Sequence, residues 1–202
     1  MDAAVSIDTL YKNLEQQGVE ILHCPTREVI ALAEPEGYLC LNPDKVETAE
    51  QEREILIHEE GHFATDTFYQ LDSPYTVREH QENIASRHGF KKYFSVEKLL
   101  SLMDDGYTEP WQLAEQLGVR LAYVQEMLDY YTDAQGVDFG AELAHRHEER
   151  ETREALEVDP ITEETAQKLG GLSFSCDFPL TETAAQEILA LVAMCKHRKN
   201  LP

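Results

Sequence analysis

Between residues 7 and 17 the apolar side chains Ile7, Leu10, Tyr11 and Leu14 recur at the spacing of one helical face, and Gly18 ends the run. From Val19 to His23 the pattern tightens into a short strand. Two further apolar runs, Glu28 to Ala33 and Tyr38 to Leu41, flank Glu34-Pro35-Glu36-Gly37. Pro and Gly there occupy the places a type I turn favours, so the segment predicts a β-hairpin.

After Asn42-Pro43-Asp44 the rhythm becomes helical. Thr48 and Gln51 form a capping-box start for a helix that runs through His62 toward Tyr69, and Asp72-Ser73-Pro74 breaks it. Thr76 and Glu79 make a second capping box, opening a helix to about Tyr93. Shorter helices follow over Ser95 to Met103, Glu109 to Leu117 and Arg120 to Tyr131, the last two joined at Gly118. Beyond a loop at Gly136 to Gly140 come a highly charged helix (Ala141 to Val158), a loop around Gly170-Gly171 and a final helix from Thr181. Lys196 to Lys199 complement the dipole at its end. The pattern predicts an α+β fold: a small antiparallel sheet on a mainly helical body (residues 1–138), with a helical C-terminal extension (139–202).

Charge narrows the classes of partner. Thirty-nine Asp and Glu oppose 17 Lys and Arg, a net charge of −22. Such a surface repels phosphate backbones and anionic membranes, so neither nucleic acid nor a membrane is an expected partner. The N-terminal sequence lacks the basic start and apolar run of a signal peptide, and no apolar stretch approaches the roughly 18 residues that span a bilayer. Cys24, Cys40, Cys176 and Cys195 are dispersed and form no C-x-x-C pair. A cytoplasmic protein with reduced thiols, its cysteines acting as small core residues, is the expectation.

His58-Glu59-Glu60-Gly61-His62 fits H-E-x-x-H inside the predicted helix. Residues four apart lie one turn above each other, so both imidazoles can reach one metal ion. Glu59 projects beside the first ligand, where it can take a proton from attacking water as general base. The apolar flank Ile55-Leu56-Ile57 suits a partly buried site. Zinc, one ion per chain, is the expected cofactor. A catalytic zinc takes a third protein ligand and keeps one position open. Glu79, His80 and Glu82 on the next helix are candidates. Glu79 is engaged as the partner of Thr76, whereas Glu82 opens Glu82-Asn83-Ile84-Ala85, whose small Ala85 would let the two helices approach closely. Glu82 is therefore the expected ligand.

An N-terminal helix and small sheet, then H-E-x-G-H, then E-x-x-A about twenty residues later, resembles the ImmA/IrrE family of gluzincin-like metallopeptidases over about residues 5 to 135. Departures fall at Ser86, where Asn or Asp is common, and at His88 and Gly89, where an aromatic and an alanine are usual. The resemblance implies a zincin-like fold and a zinc-dependent endopeptidase that cuts a specific regulatory protein, often a phage or mobile-element repressor. The alternative is a metal-binding regulatory or interaction protein without turnover, which would have no use for Glu59.

Weaker signals have plainer explanations. Leu113 to Val119, with Tyr123 and Val124, has a helix-turn-helix pattern, yet its second helix offers only Arg120 as a cation, beside Glu126 and Asp129. Two packed helices with Trp111 in the core are expected instead. His145, His147 and Glu149 lie on a solvated charged face, with His147 opposite the other two. Tyr75, Arg78, His88 and Tyr93 flank the ligand helix and are candidates for an oxyanion donor.

Overall fold

The structure is a computed structural model that describes residues 4–70, 72–172 and 180–199. It divides into two compact units, Met1–Phe139 and Gly140–Pro202. The first contains α1 (Ile7–Gln16), β1 (Glu20–His23), β2 (Ala31–Glu34), β3 (Tyr38–Leu41), α2 (Ala49–Thr65), α3 (Tyr75–Tyr93), α4 (Val96–Asp104), α5 (Pro110–Leu117) and α6 (Leu121–Asp129). A single 3-10 turn precedes α2 and a π turn follows α6. The architecture is α+β, with a small sheet against a mainly helical body.

The sheet is mixed, in the order β1-β3-β2. β2 and β3 form the antiparallel hairpin, closed by Gly37, which takes φ 93° and donates its N–H to the Glu34 carbonyl. β1 joins β3 in parallel, with Leu22 opposite Cys40. The inner face carries Leu39 and Leu41, both buried, beside Ala31 and Ala33. The outer face carries exposed Leu22 and Leu32.

This pairing overturns the expectation of separate reduced cysteines at two positions. Cys24, just beyond β1, and Cys40 on β3 have Cα atoms 5.7 Å apart and are joined by a disulfide. They are remote in sequence, but the hairpin returns β3 alongside β1. Cys176, the side chain of Cys195 and those of the basic run 196–199 lie outside the described residues.

Helix α2 is the spine of the first unit. Thr48 caps it by accepting the Gln51 N–H, while the Gln51 side chain accepts the N–H of Glu47. Its buried residues include Leu56, Ile57 and Gly61, and two carboxylates tie it to its neighbours. Glu54 accepts from the backbone and guanidinium of Arg120. Glu60 pairs with Lys92 at 2.5 Å and accepts from Gln17 and the Tyr93 hydroxyl, joining α1, α2 and α3. A buried carboxylate is tolerated only when it is paired and hydrogen-bonded in this way.

Two other expectations fail. Helix α3 begins at Tyr75, with Pro74 at the N-cap and no side-chain cap bond, so the Thr76–Glu79 capping box does not form. Thr76 already lies inside the helix, and a capping residue must have extended backbone. Trp111 is 52% exposed rather than in the core, because the core between α5 and α6 is filled by Leu113, Leu117, Val124 and Met127.

Helix α7 (Phe139–Val158) runs into the second unit and is followed there by α8 (Glu163–Leu169) and α9 (Glu182–Lys199). The charge pattern did not reveal α8, which is capped by Thr162 accepting from the Thr165 N–H. The Glu182 carboxylate accepts from the Thr162 N–H, the Thr165 hydroxyl and the Gln186 amide, linking α8 to α9. Among the described residues, no helix is long and apolar enough to cross a membrane.

Candidate metal centre

Two helices meet at the site with little side chain between them. A Cβ added to Gly61 would sit 2.3 Å from the carbonyl oxygen of Ala85, itself fully buried. This close seam lets α3 present Glu82 to the two histidines of α2. The Nε2 atoms of His58 and His62 lie 3.1 Å apart. Glu82 Oε2 is 2.9 Å from His58 Nε2, and Oε1 is 3.5 Å from His62 Nε2. Ligands about 2.0–2.1 Å from a tetrahedral zinc ion are separated by about 3.3 Å. With one ligand atom taken from each residue, the three groups lie within 4.8 Å of one another, close enough to hold a metal ion between them. They form the one His/Cys/Asp/Glu cluster of this kind among the described residues. Of the sequence candidates for the third ligand, Glu79 and His80 are exposed on α3 and outside the cluster.

The far nitrogen of each ring has a partner. His62 Nδ1 is 2.7 Å from the Thr67 carbonyl, an acceptor only, so Nδ1 donates there, and Nε2 is the nitrogen that faces Glu82 and His58. His58 Nδ1 is 3.2 Å from Ser86 Oγ. Ser86 thus touches the site. The Thr67 carbonyl is placed by a sharp end to α2. Asp66 takes the left-handed conformation at φ 53°, and the Thr67 N–H bonds back to the His62 carbonyl.

Electrostatics favour a cation at the convergence point. Hydrogen bonds from His58 and then His62 hold the Glu82 carboxyl well below the usual range, against the opposing effect of burial. Burial alone would lower the His62 pKa, but Glu82 and the negative charge of Glu59 outweigh it, and the net shift is upward. Burial pushes the Glu59 carboxyl up, opposed by His58 and His62 and reinforced by Glu82.

The site opens into a cleft of about 370 Å³ lined by His58, Glu59, His62 and Glu82, by Val29 and β2, and by Thr67, Phe68 and Tyr69. None of the four sequence candidates for an oxyanion donor lines it. Tyr75 is 68% exposed, Tyr93 is bonded to Glu60, and His88 faces a separate cavity with Lys92 and Gln17. Arg78 has a buried Nε with no hydrogen-bond partner. Tyr69, absent from that set, donates its hydroxyl to Glu82 Oε1 at 2.6 Å. That bond, with burial, pushes the phenol up to about 12. The apolar pattern placed Tyr69 near the end of α2; the turn at Asp66 moves it onto the segment beside the cleft.

His145 and Glu149 pair at 3.8 Å on an exposed face and do not belong to a metal cluster. No protein-family model matches the chain, and neither a curated protein nor a solved structure matches it significantly.

Proposed function

We propose that this chain is a zinc-dependent endopeptidase, with His58, His62 and Glu82 as ligands and Glu59 as general base. The observation that carries the reading is the convergence of three groups that could hold a metal ion, beside a carboxylate in an open cleft. A zinc ion supplies Lewis acidity that brings the pKa of water toward about 7. Glu59 takes the proton as water attacks the peptide carbonyl, then delivers it to the leaving amine. Thr67 and Ser86 hold the imidazoles in orientation.

The cleft wall supports a peptide as substrate. β2 is the edge of the sheet, hydrogen-bonded to β3 on one side only, and lines the cleft. An extended chain can pair with such an edge, while Val29, Leu32 and Phe68 offer apolar contact to its side chains. The resemblance to ImmA/IrrE metallopeptidases supports a narrow substrate, a regulatory protein such as a phage or mobile-element repressor. A DNA-binding reading is disfavoured, because Arg120 is committed to Glu54 and the chain carries −22.

Incubating zinc-loaded protein with a proteome-derived peptide library tests the reading. New peptide termini should accumulate with the wild type and be absent with Glu59→Gln. Equal cleavage by both proteins, or by neither, would reject it.

A further inference from the structure

We propose that Tyr69 is the hydrogen-bond donor that binds the oxyanion formed at the scissile carbonyl. This assignment rests on the peptidase reading above. Hydrolysis converts a planar carbonyl into a tetrahedral centre bearing negative charge, and a donor placed beforehand at that oxygen lowers the barrier.

Tyr69 is the phenol among the described residues lining the cleft, and the other polar side chains of the wall already have roles. His58, His62 and Glu82 face one another, Glu59 serves as base, and Thr67 is occupied with His62 and Thr65. The Tyr69 hydroxyl stands 2.6 Å from Glu82 Oε1, one hydrogen bond from the ligand cluster. The reacting carbonyl must come to the same place, because attack requires it beside Glu59 and the ligands.

The position of Tyr69 allows it to change partner. It lies between α2 and α3, outside regular structure, and is 40% exposed, so turning its ring breaks no core packing. Without substrate the phenol has Glu82 as acceptor. A cation at the cluster draws charge from that carboxylate and weakens it as an acceptor, while the oxyanion is a stronger one. The hydroxyl then moves from Glu82 to the substrate oxygen and keeps its proton throughout. Charge is stabilised without a proton leaving Tyr69, and Glu59 remains the only group that exchanges one.

N-phosphoryl-leucinamide is a suitable probe, because its tetrahedral phosphoryl oxygens copy the hydrated carbonyl and its leucine suits the apolar wall. Zinc affinity, from competition with a chromophoric chelator, and probe affinity should be measured for the wild type and Tyr69→Phe. We expect Tyr69→Phe to bind zinc within about threefold of the wild type and the probe about 30-fold more weakly, the loss of one hydrogen bond to a charged group. Unchanged probe affinity would overturn the assignment and leave the peptidase reading intact. So would equal losses of zinc and probe, which would make Tyr69 only a positioning residue for Glu82. If the zinc-loaded wild type fails to bind the probe, the peptidase reading falls and this assignment falls with it.

Discussion

Gly61 of α2 lies against the backbone of Ala85 in α3 so closely that a methyl group at residue 61 would meet the Ala85 carbonyl at 2.3 Å. The neighbour is main chain and cannot rotate away. One turn further along α3, Gly89 lies against the side chain of Ile57, whose Cγ2 would stand 2.5 Å from an added Cβ. The glycine of the H-E-x-G-H sequence is therefore a spacing device. It sets the distance at which Glu82 reaches the two histidines.

Gly61→Ala should force α2 and α3 apart. Overpacking of this kind costs about 1–3 kcal/mol, to be read from denaturant unfolding of the metal-free protein. The same shift should weaken zinc binding by about tenfold or more, because ligand geometry depends on the seam. A stable Gly61→Ala protein with native zinc affinity would show that the helices are not held at this spacing.

The third ligand can be separated from its neighbour on the same helix. Glu82→Ala removes an atom 2.9 Å from His58 Nε2 and should weaken zinc binding more than about tenfold. Glu79 is exposed and caps nothing, so Glu79→Ala should leave zinc affinity unchanged and stability within about 0.5 kcal/mol. Zinc titrations of the two variants side by side decide between them.

The Cys24–Cys40 disulfide closes a loop with a sequence separation of 16. Reduction should release two thiols and, on chain-entropy grounds, lower stability by about 3 kcal/mol. Thiol titration of the denatured protein with and without reductant measures the first effect, and urea unfolding the second. No increase in thiols on reduction would remove the bond from the account.

Glu182 predicts an acid-sensitive junction in the second unit. Donors from Gln186, Thr165 and Thr162 hold its carboxyl at about 2, against an ordinary value of 4.5. A depressed carboxyl contributes stability above the ordinary pKa and loses it as the pH falls. Protection of the α8–α9 junction should thus decline between about pH 4.5 and pH 2. Amide exchange at Thr162, whose N–H donates to Glu182, follows the decline directly. Glu182→Gln should abolish the pH dependence of protection at that amide, once the intrinsic exchange rate at each pH is divided out.

The sequence made some of this architecture legible and concealed the rest for physical reasons. His58, Glu59 and His62 are readable because helical periodicity alone places them; Glu82 was separable from Glu79 and His80 only by the clearance at Ala85, since the Thr76–Glu79 capping box that also pointed to it does not form. The hairpin follows from Pro35 and Gly37, local turn chemistry that neighbours do not override. The reversal at Asp66 was not readable. Its left-handed conformation is tied to His62, which reaches past the turn to Thr67, and it brings Tyr69 to the cleft. The disulfide was hidden by the parallel pairing of β1 with β3, a long-range contact that no local pattern encodes. Thr76 and Glu79 mimic a capping box, but Pro74 supplies the extended backbone first, and the helix begins before Thr76 can act as a cap.

Zinc content tests the central claim most directly. Protein prepared without chelator, then measured by elemental analysis and competitive titration, should hold one zinc ion per chain. Glu59→Gln should retain it, because Glu59 lies outside the His58–His62–Glu82 cluster, whereas His62→Ala should lose it. Absence of tightly bound zinc in the wild type, or equal retention by His62→Ala, would contradict the account at its base.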